Sequence, residues 1–130
     1  MATNIYSTRS FSISVENGTV VLKKGKLKKA ISFEEFRLFR NCIEIIDNSI
    51  NMAQKMKTNG SYGLFYLSKN SPLHVRVFLN DVVFIRFEEF SSNMVQVTNS
   101  MFSMTIREYD IVKKSLNEID LQMLNLLKTE

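Results

Sequence analysis

Two stretches of this chain, 32–53 and 105–126, carry one pattern 73 residues apart, and that correspondence limits the fold more than any other feature. Each opens with a capping box, Ser32 with Glu35 and Thr105 with Glu108. There a hydroxyl and a carboxylate satisfy amide groups that the first turn of a helix leaves unpaired. From each cap an apolar seam runs at spacings of three and four. It is Phe36, Phe39, Ile43, Ile46, Ile50 and Ala53 in the first copy, and Tyr109, Val112, Leu116, Ile119, Met123 and Leu126 in the second. Asp47 and Asp120 match at the same offset, and a strand-rich lead-in precedes both helices. Self-similarity at a fixed period predicts a tandem repeat. Its boundaries fall at 1–58 and 59–130, with Thr58, Asn59, Gly60 and Ser61 as the linker. Halves of about 65 residues would each be marginal alone, so one shared core is the economical arrangement. The expected fold is α+β: two tandem repeats of antiparallel strands, each followed by one long helix, the two helices packed together as an intramolecular pseudo-dimer. A second row on the first helix, Leu38, Cys42, Ile45, Met52 and Met56, predicts burial against a further neighbour.

The lead-ins read as strands. Phe11, Ile13 and Val15 alternate with Ser10, Ser12 and Ser14, predicting one half-buried strand over Ile5–Val15. Glu16-Asn17-Gly18 supplies a hairpin turn into Thr19–Lys24, and Gly25-Lys26 a second turn into Leu27–Phe33. In that last strand Leu27, Lys29, Ile31 and Phe33 share the face opposite Lys28, Ala30 and Ser32. The second half offers four strands: Tyr62–Ser68, Leu73–Leu79, Val82–Phe90 and Met94–Met101.

Charge is unevenly placed. Residues 1–65 hold ten Lys/Arg against five Asp/Glu, whereas 66–130 hold seven against eight. Five of the seven residues from Lys23 to Lys29 are lysines, so this hairpin projects positive charge and invites a polyanion, nucleic acid above all. Single strands are held by cations tracking phosphates and by planar groups stacking on bases. Lys23, Lys24, Lys26, Lys28 and Lys29, with Arg9 nearby, are the candidate phosphate contacts. Arg76 and Phe78 fall on one strand face, and Phe84 and Arg86 on the next, giving candidate stacking sites. Period two groups these rings and leaves open which face is wet.

Other chemistries lack their residues. The single His74 has no Ser or Cys partner by motif, and one Cys with one His cannot build a zinc site of the usual type. The paired acids Glu34/Glu35 and Glu88/Glu89 diverge as sequence neighbours, and no glycine-rich phosphate loop is present. The chain is therefore expected to be no enzyme and to use no cofactor, metal or small-molecule substrate. Its apolar runs are too short to span a bilayer, and its N-terminus lacks a secretory pattern. With one packed thiol, Cys42, the expected location is intracellular.

The segments ISVENGTVVLKKGKLKKAISFEEFRLFRNCIEIID, VRVFLNDVVFIRFEEF and SMTIREYDIVKKSLNEID resemble the conserved domain of the positive cofactor four family of transcriptional coactivators. That domain is similarly made of antiparallel strands, a basic loop, a Gly or Lys before an Ile-Ser pair, and a closing helix ending near Ile-Asp. The Whirly and Pur-type proteins are similar in fold. The resemblance implies single-stranded DNA or RNA binding of low sequence specificity across curved sheets, in transcription, replication or genome protection. It implies a nuclear location if the source is a eukaryote or its virus, and a viral source fits the Asn-, Lys- and Ile-rich composition. The second repeat departs from the family in lacking the lysine cluster and in carrying Asp81, Glu88 and Glu89. The alternative is a scaffold that forms a homodimer through the second helix row and binds an acidic protein with the lysine hairpin.

Overall fold

A computed structural model describes residues 2–67, 72–90 and 96–129. Among the described residues the chain is α+β, with two four-stranded antiparallel sheets and four helices. The first sheet pairs β1 (Ala2–Ser7), β2 (Ser12–Glu16), β3 (Thr19–Lys24) and β4 (Leu27–Ser32) in order; α1 (Phe33–Asn41) and α2 (Ile43–Met56) follow. The second pairs β5 (Gly60–Tyr66), β6 (Leu73–Asn80), β7 (Val82–Phe90) and β8 (Gln96–Thr105), with α3 (Ile106–Lys114) and α4 (Leu116–Thr129) after it.

Asn17 and Gly18 both take positive φ, 47° and 80°, as the tight β2–β3 turn requires. The expected single strand over Ile5–Val15 is instead two. Thr8 donates its amide to the Phe11 carbonyl at 2.9 Å and accepts the Phe11 amide on Oγ1 at 3.2 Å, closing a turn between β1 and β2. The expected linker 58–61 also shortens, because β5 begins at Gly60. The strand expected at Met94–Met101 runs over Gln96–Thr105, while Ser68 and Met94 lie outside the described residues.

Both capping boxes form, with Glu35 and Glu108 returning to the backbone amides of Ser32 and Thr105. Neither closing helix is one long rod, however. Each breaks at a single residue, Cys42 and Ser115, where φ is −93° in both. The Cys42 amide donates to Phe39 O at 2.9 Å, a tightened turn, and Ser115 places its hydroxyl on Ile111 O at 2.8 Å. These breaks let the helices part company. α1 lies over β3 and β4, but α2 crosses to β5, β6 and β7; α3 lies over β7 and β8, but α4 crosses to β1 and β2.

One apolar cluster results. It joins Ile13, Val20, Leu22 and Ile31 of the first sheet to Val75, Val77, Ile85, Phe87, Phe102 and Met104 of the second, with the helix seams between them. Polar links cross the same boundary. Asp47 Oδ1 accepts the Tyr109 hydroxyl at 2.9 Å and pairs with Lys113 at 3.1 Å, and Asp120 pairs with Arg40 at 2.7 Å. Burial first, and then the Asp47 carboxylate, push the Tyr109 phenol well above its ordinary range. The second apolar row does not find its expected neighbour among the described residues: Leu38 and Cys42 are half-buried, but Ile45, Met52 and Met56 are all more than half exposed. Among the described residues no helix is long and apolar enough to cross a membrane.

Candidate nucleic-acid interface

Because the helices cover one face of each sheet, the alternation along each strand decides what the opposite, outer face presents. On the first sheet the inner set contains Ile13, Val15, Val20, Leu22 and Ile31. The outer set is Ser12, Ser14, Glu16, Thr19, Val21, Lys23, Lys28, Ala30 and Ser32, with Glu16 at the end of the sheet away from Lys23 and Lys28. Lys23 and Lys28 stand directly opposite each other across β3 and β4, both exposed. Neither has an ion-pair partner among the described residues. Like charges paired in this way are unfavourable on their own, and an incoming anion relieves them. Lys26 is exposed at the adjoining turn. Arg9, in the β1–β2 turn, lies at the same end of the sheet and is also exposed.

The other two lysines correct the sequence reading. Lys29 shares the inner face with Leu22, is 7% exposed, and places its ammonium 2.6 Å from Glu89 Oε1. Lys24 is half-buried, donating to Glu108 Oε1 at 2.7 Å and to Ser103 O at 3.3 Å. Both are committed to the second half of the chain, so the hairpin offers outside ligands three lysines rather than five.

The second sheet's outer face is of another kind. Leu64, Tyr66, His74, Arg76, Phe78, Phe84, Arg86 and Glu88 all fall on it, while Val75, Val77, Ile85 and Phe87 point to the core. Phe78 and Phe84, opposite each other in β6 and β7, stack with centroids 5.5 Å apart and planes at 30°. The Arg86 guanidinium carbon lies 4.6 Å from the Phe78 centroid, a cation–π arrangement. All four residues singled out on these strands therefore meet on one face, half-buried and turned away from the helices.

Glu88 is one of the acids by which the second repeat departs from the family. It is fully buried and ion-paired with both arginines: Arg86 Nη2 donates to Oε2 at 3.2 Å, and Arg76 Nε lies 2.8 Å from Oε1 as a charge contact without good hydrogen-bond alignment. Beside it the buried His74 meets the exposed Tyr66 edge-on at 4.2 Å, and desolvation pushes the imidazole below its ordinary pKa. A cavity of about 720 Å³ lies elsewhere, between the end of α2, the β6–β7 turn and the start of α3. Its floor is apolar, with Lys57, Asp81 and Arg107 among its lining residues and no nucleophile–base pair. Among the described residues no cluster of His, Cys, Asp or Glu could hold a metal ion. Compared with known proteins, the chain matches no protein-family model, no curated protein and no solved structure.

Proposed function

We propose that this chain binds single-stranded nucleic acid with low sequence specificity, in the manner of a coactivator-like or genome-protecting protein. The observation that carries this reading is the Arg86–Phe78–Phe84 stack presented on a sheet face that no helix covers among the described residues. Unpaired bases extend such a stack at a gain of roughly 1 to 3 kcal/mol each, and Lys23, Lys26 and Lys28 take the phosphates.

The same proposal includes the architecture: two tandem repeats docked as a pseudo-dimer. Support comes from the inter-half ion pairs. Arg40 and Lys113, and likewise Asp47 and Asp120, stand 73 residues apart, so Arg40–Asp120 and Lys113–Asp47 exchange under the offset that relates the helix caps. Reciprocal contacts of this kind are what a two-fold interface would give, and they support this reading. The helix breaks at Cys42 and Ser115 obey that offset too.

Anisotropy of a labelled single strand, its duplex and an RNA equivalent, titrated at low and near-physiological salt, tests the function. Tight single-strand binding that exceeds duplex binding and weakens with salt is expected; no binding to any of them at low salt refutes it. A second reading, a homodimer through α2, rests on the exposed row Ile45, Met52 and Met56. Sedimentation of the chain and of Met52→Lys decides that one.

A further inference from the structure

We propose that Glu88, an acid on a surface meant for a polyanion, is the positioning residue that makes that surface selective for unpaired bases; this rests on the nucleic-acid reading above. Arg76 and Arg86 stand directly opposite each other in the β6–β7 register, a like-charge pairing that is unfavourable unless an anion joins them. Glu88 is that anion. With 0% of its side chain exposed, it holds Arg76 through one carboxylate oxygen and Arg86 through the other. Tying Nη2 of Arg86 to Glu88 holds the guanidinium beside Phe78, its carbon 4.6 Å from the ring centroid, and Phe78 in turn stacks on Phe84.

The stack is thus ordered before any ligand arrives, and a ligand that uses it loses less freedom on binding. Only bases with open π faces can use it; in a duplex those faces are already covered by their neighbours. The carboxylate also neutralises one of the two guanidinium charges, weakening the attraction for phosphate that single strands and duplexes share. The first sheet makes the contrast. Its opposed pair, Lys23 and Lys28, has no such acid in contact among the described residues, so on this reading it serves phosphate alone and does not discriminate.

The test is anisotropy titration of a labelled single strand and of its duplex with five proteins: wild type, Glu88→Gln, Arg86→Lys, Phe84→Ala, and Glu44→Gln as a charge-matched control on the exposed side of α2. Glu88→Gln should weaken single-strand binding about fivefold to tenfold, the scale of one stacking contact. Duplex binding should hold or tighten, and its log–log salt slope should steepen by about one. Arg86→Lys keeps the charge but not the planar fork, and should lower the single-strand to duplex ratio similarly. Glu44→Gln should move both ligands together. A Glu88→Gln protein whose two affinities shift by one common factor overturns the proposal, as does an Arg86→Lys protein with the wild-type ratio. If Glu88→Gln fails to melt cooperatively, Arg86→Lys decides alone. Wild type that binds neither ligand refutes the interface itself. Wild type that binds, is weakened by Phe84→Ala, and keeps its ratio in both variants refutes only the role of Glu88.

Discussion

Glu89→Gln should destabilise the fold more than Lys29→Met, although both break the same ion pair. The Lys29 side chain is 8% exposed and Glu89 is 35% exposed, with 2.6 Å between their charges. Removing the carboxylate strands an ammonium that water barely reaches. Breaking a fully buried pair in this way costs about 3 to 5 kcal/mol, and the wet side of Glu89 lowers that to about 2 to 3. Lys29→Met leaves behind a carboxylate that water can solvate and puts a thioether opposite Leu22, so its cost is about 0 to 1 kcal/mol. The gap of about 2 kcal/mol corresponds to roughly 1 M in the urea midpoint for a slope near 2 kcal/mol per M. In the double variant Glu89→Gln should add little to Lys29→Met, because the stranded charge is gone. Urea melts of the four proteins at neutral pH decide the matter. Equal midpoints for the two single variants, or the reverse order, would refute the argument that the burial of Lys29 sets the cost. Single-strand affinity of Lys29→Met should stay within about twofold of wild type, since its charge already belongs to Glu89 and releases no counterion.

Phe84→Ala should cost roughly 1 to 3 kcal/mol of single-strand affinity by titration and leave duplex affinity nearly unchanged. Replacing Lys23, Lys26 and Lys28 together by Ala should weaken every sequence alike and flatten the single-strand log–log salt slope by about 2, from about 0.7 per phosphate contact; an unchanged slope would place the phosphates elsewhere. The Tyr109 phenol has a raised pKa in the fold, so its stabilisation is complete below the unfolded value of 10.0 and declines as pH climbs past it. Urea midpoints of wild type and Tyr109→Phe should therefore converge above about pH 10, and parallel curves would remove Tyr109 from the alkaline transition.

Sequence reasoning reached what is local and periodic. The capping boxes at Ser32 and Thr105, the seams behind them and the Asn17-Gly18 turn are each set by residues within a few positions of one another. The β1–β2 turn escaped because Ser10, Ser12 and Ser14 continue the strand alternation on paper, whereas Thr8 closes on Phe11 in space. The helix breaks at Cys42 and Ser115 escaped because the seam runs through them unbroken; the change of direction belongs to the crossing of α2 and α4 onto the opposite sheets. Period two grouped Arg76 with Phe78 and Phe84 with Arg86, but only the placement of the helices decides that this face is the open one. Lys29 did carry a signal, since alternation put it with Ile31 and opposite Lys28. Its partner Glu89 is 60 residues away, beyond any local pattern.

The two lysines withdrawn from the hairpin explain how the candidate surface keeps its geometry. Lys24 grips Glu108, a member of the second capping box, and Lys29 grips Glu89, next to the acid that holds both arginines. The hairpin carrying Lys23, Lys26 and Lys28 is thereby tied at two points to the half carrying the stack, and β4 lies beside β8. Cations on a free loop would contribute charge at no fixed distance from the aromatic pair. Under the proposed function, cations tied down in this way would lower the ordering cost of binding a strand. The lysine cluster is therefore divided: Lys23, Lys26 and Lys28 are exposed, the three that the proposed function assigns to phosphate, and Lys24 and Lys29 tie their hairpin to the second half.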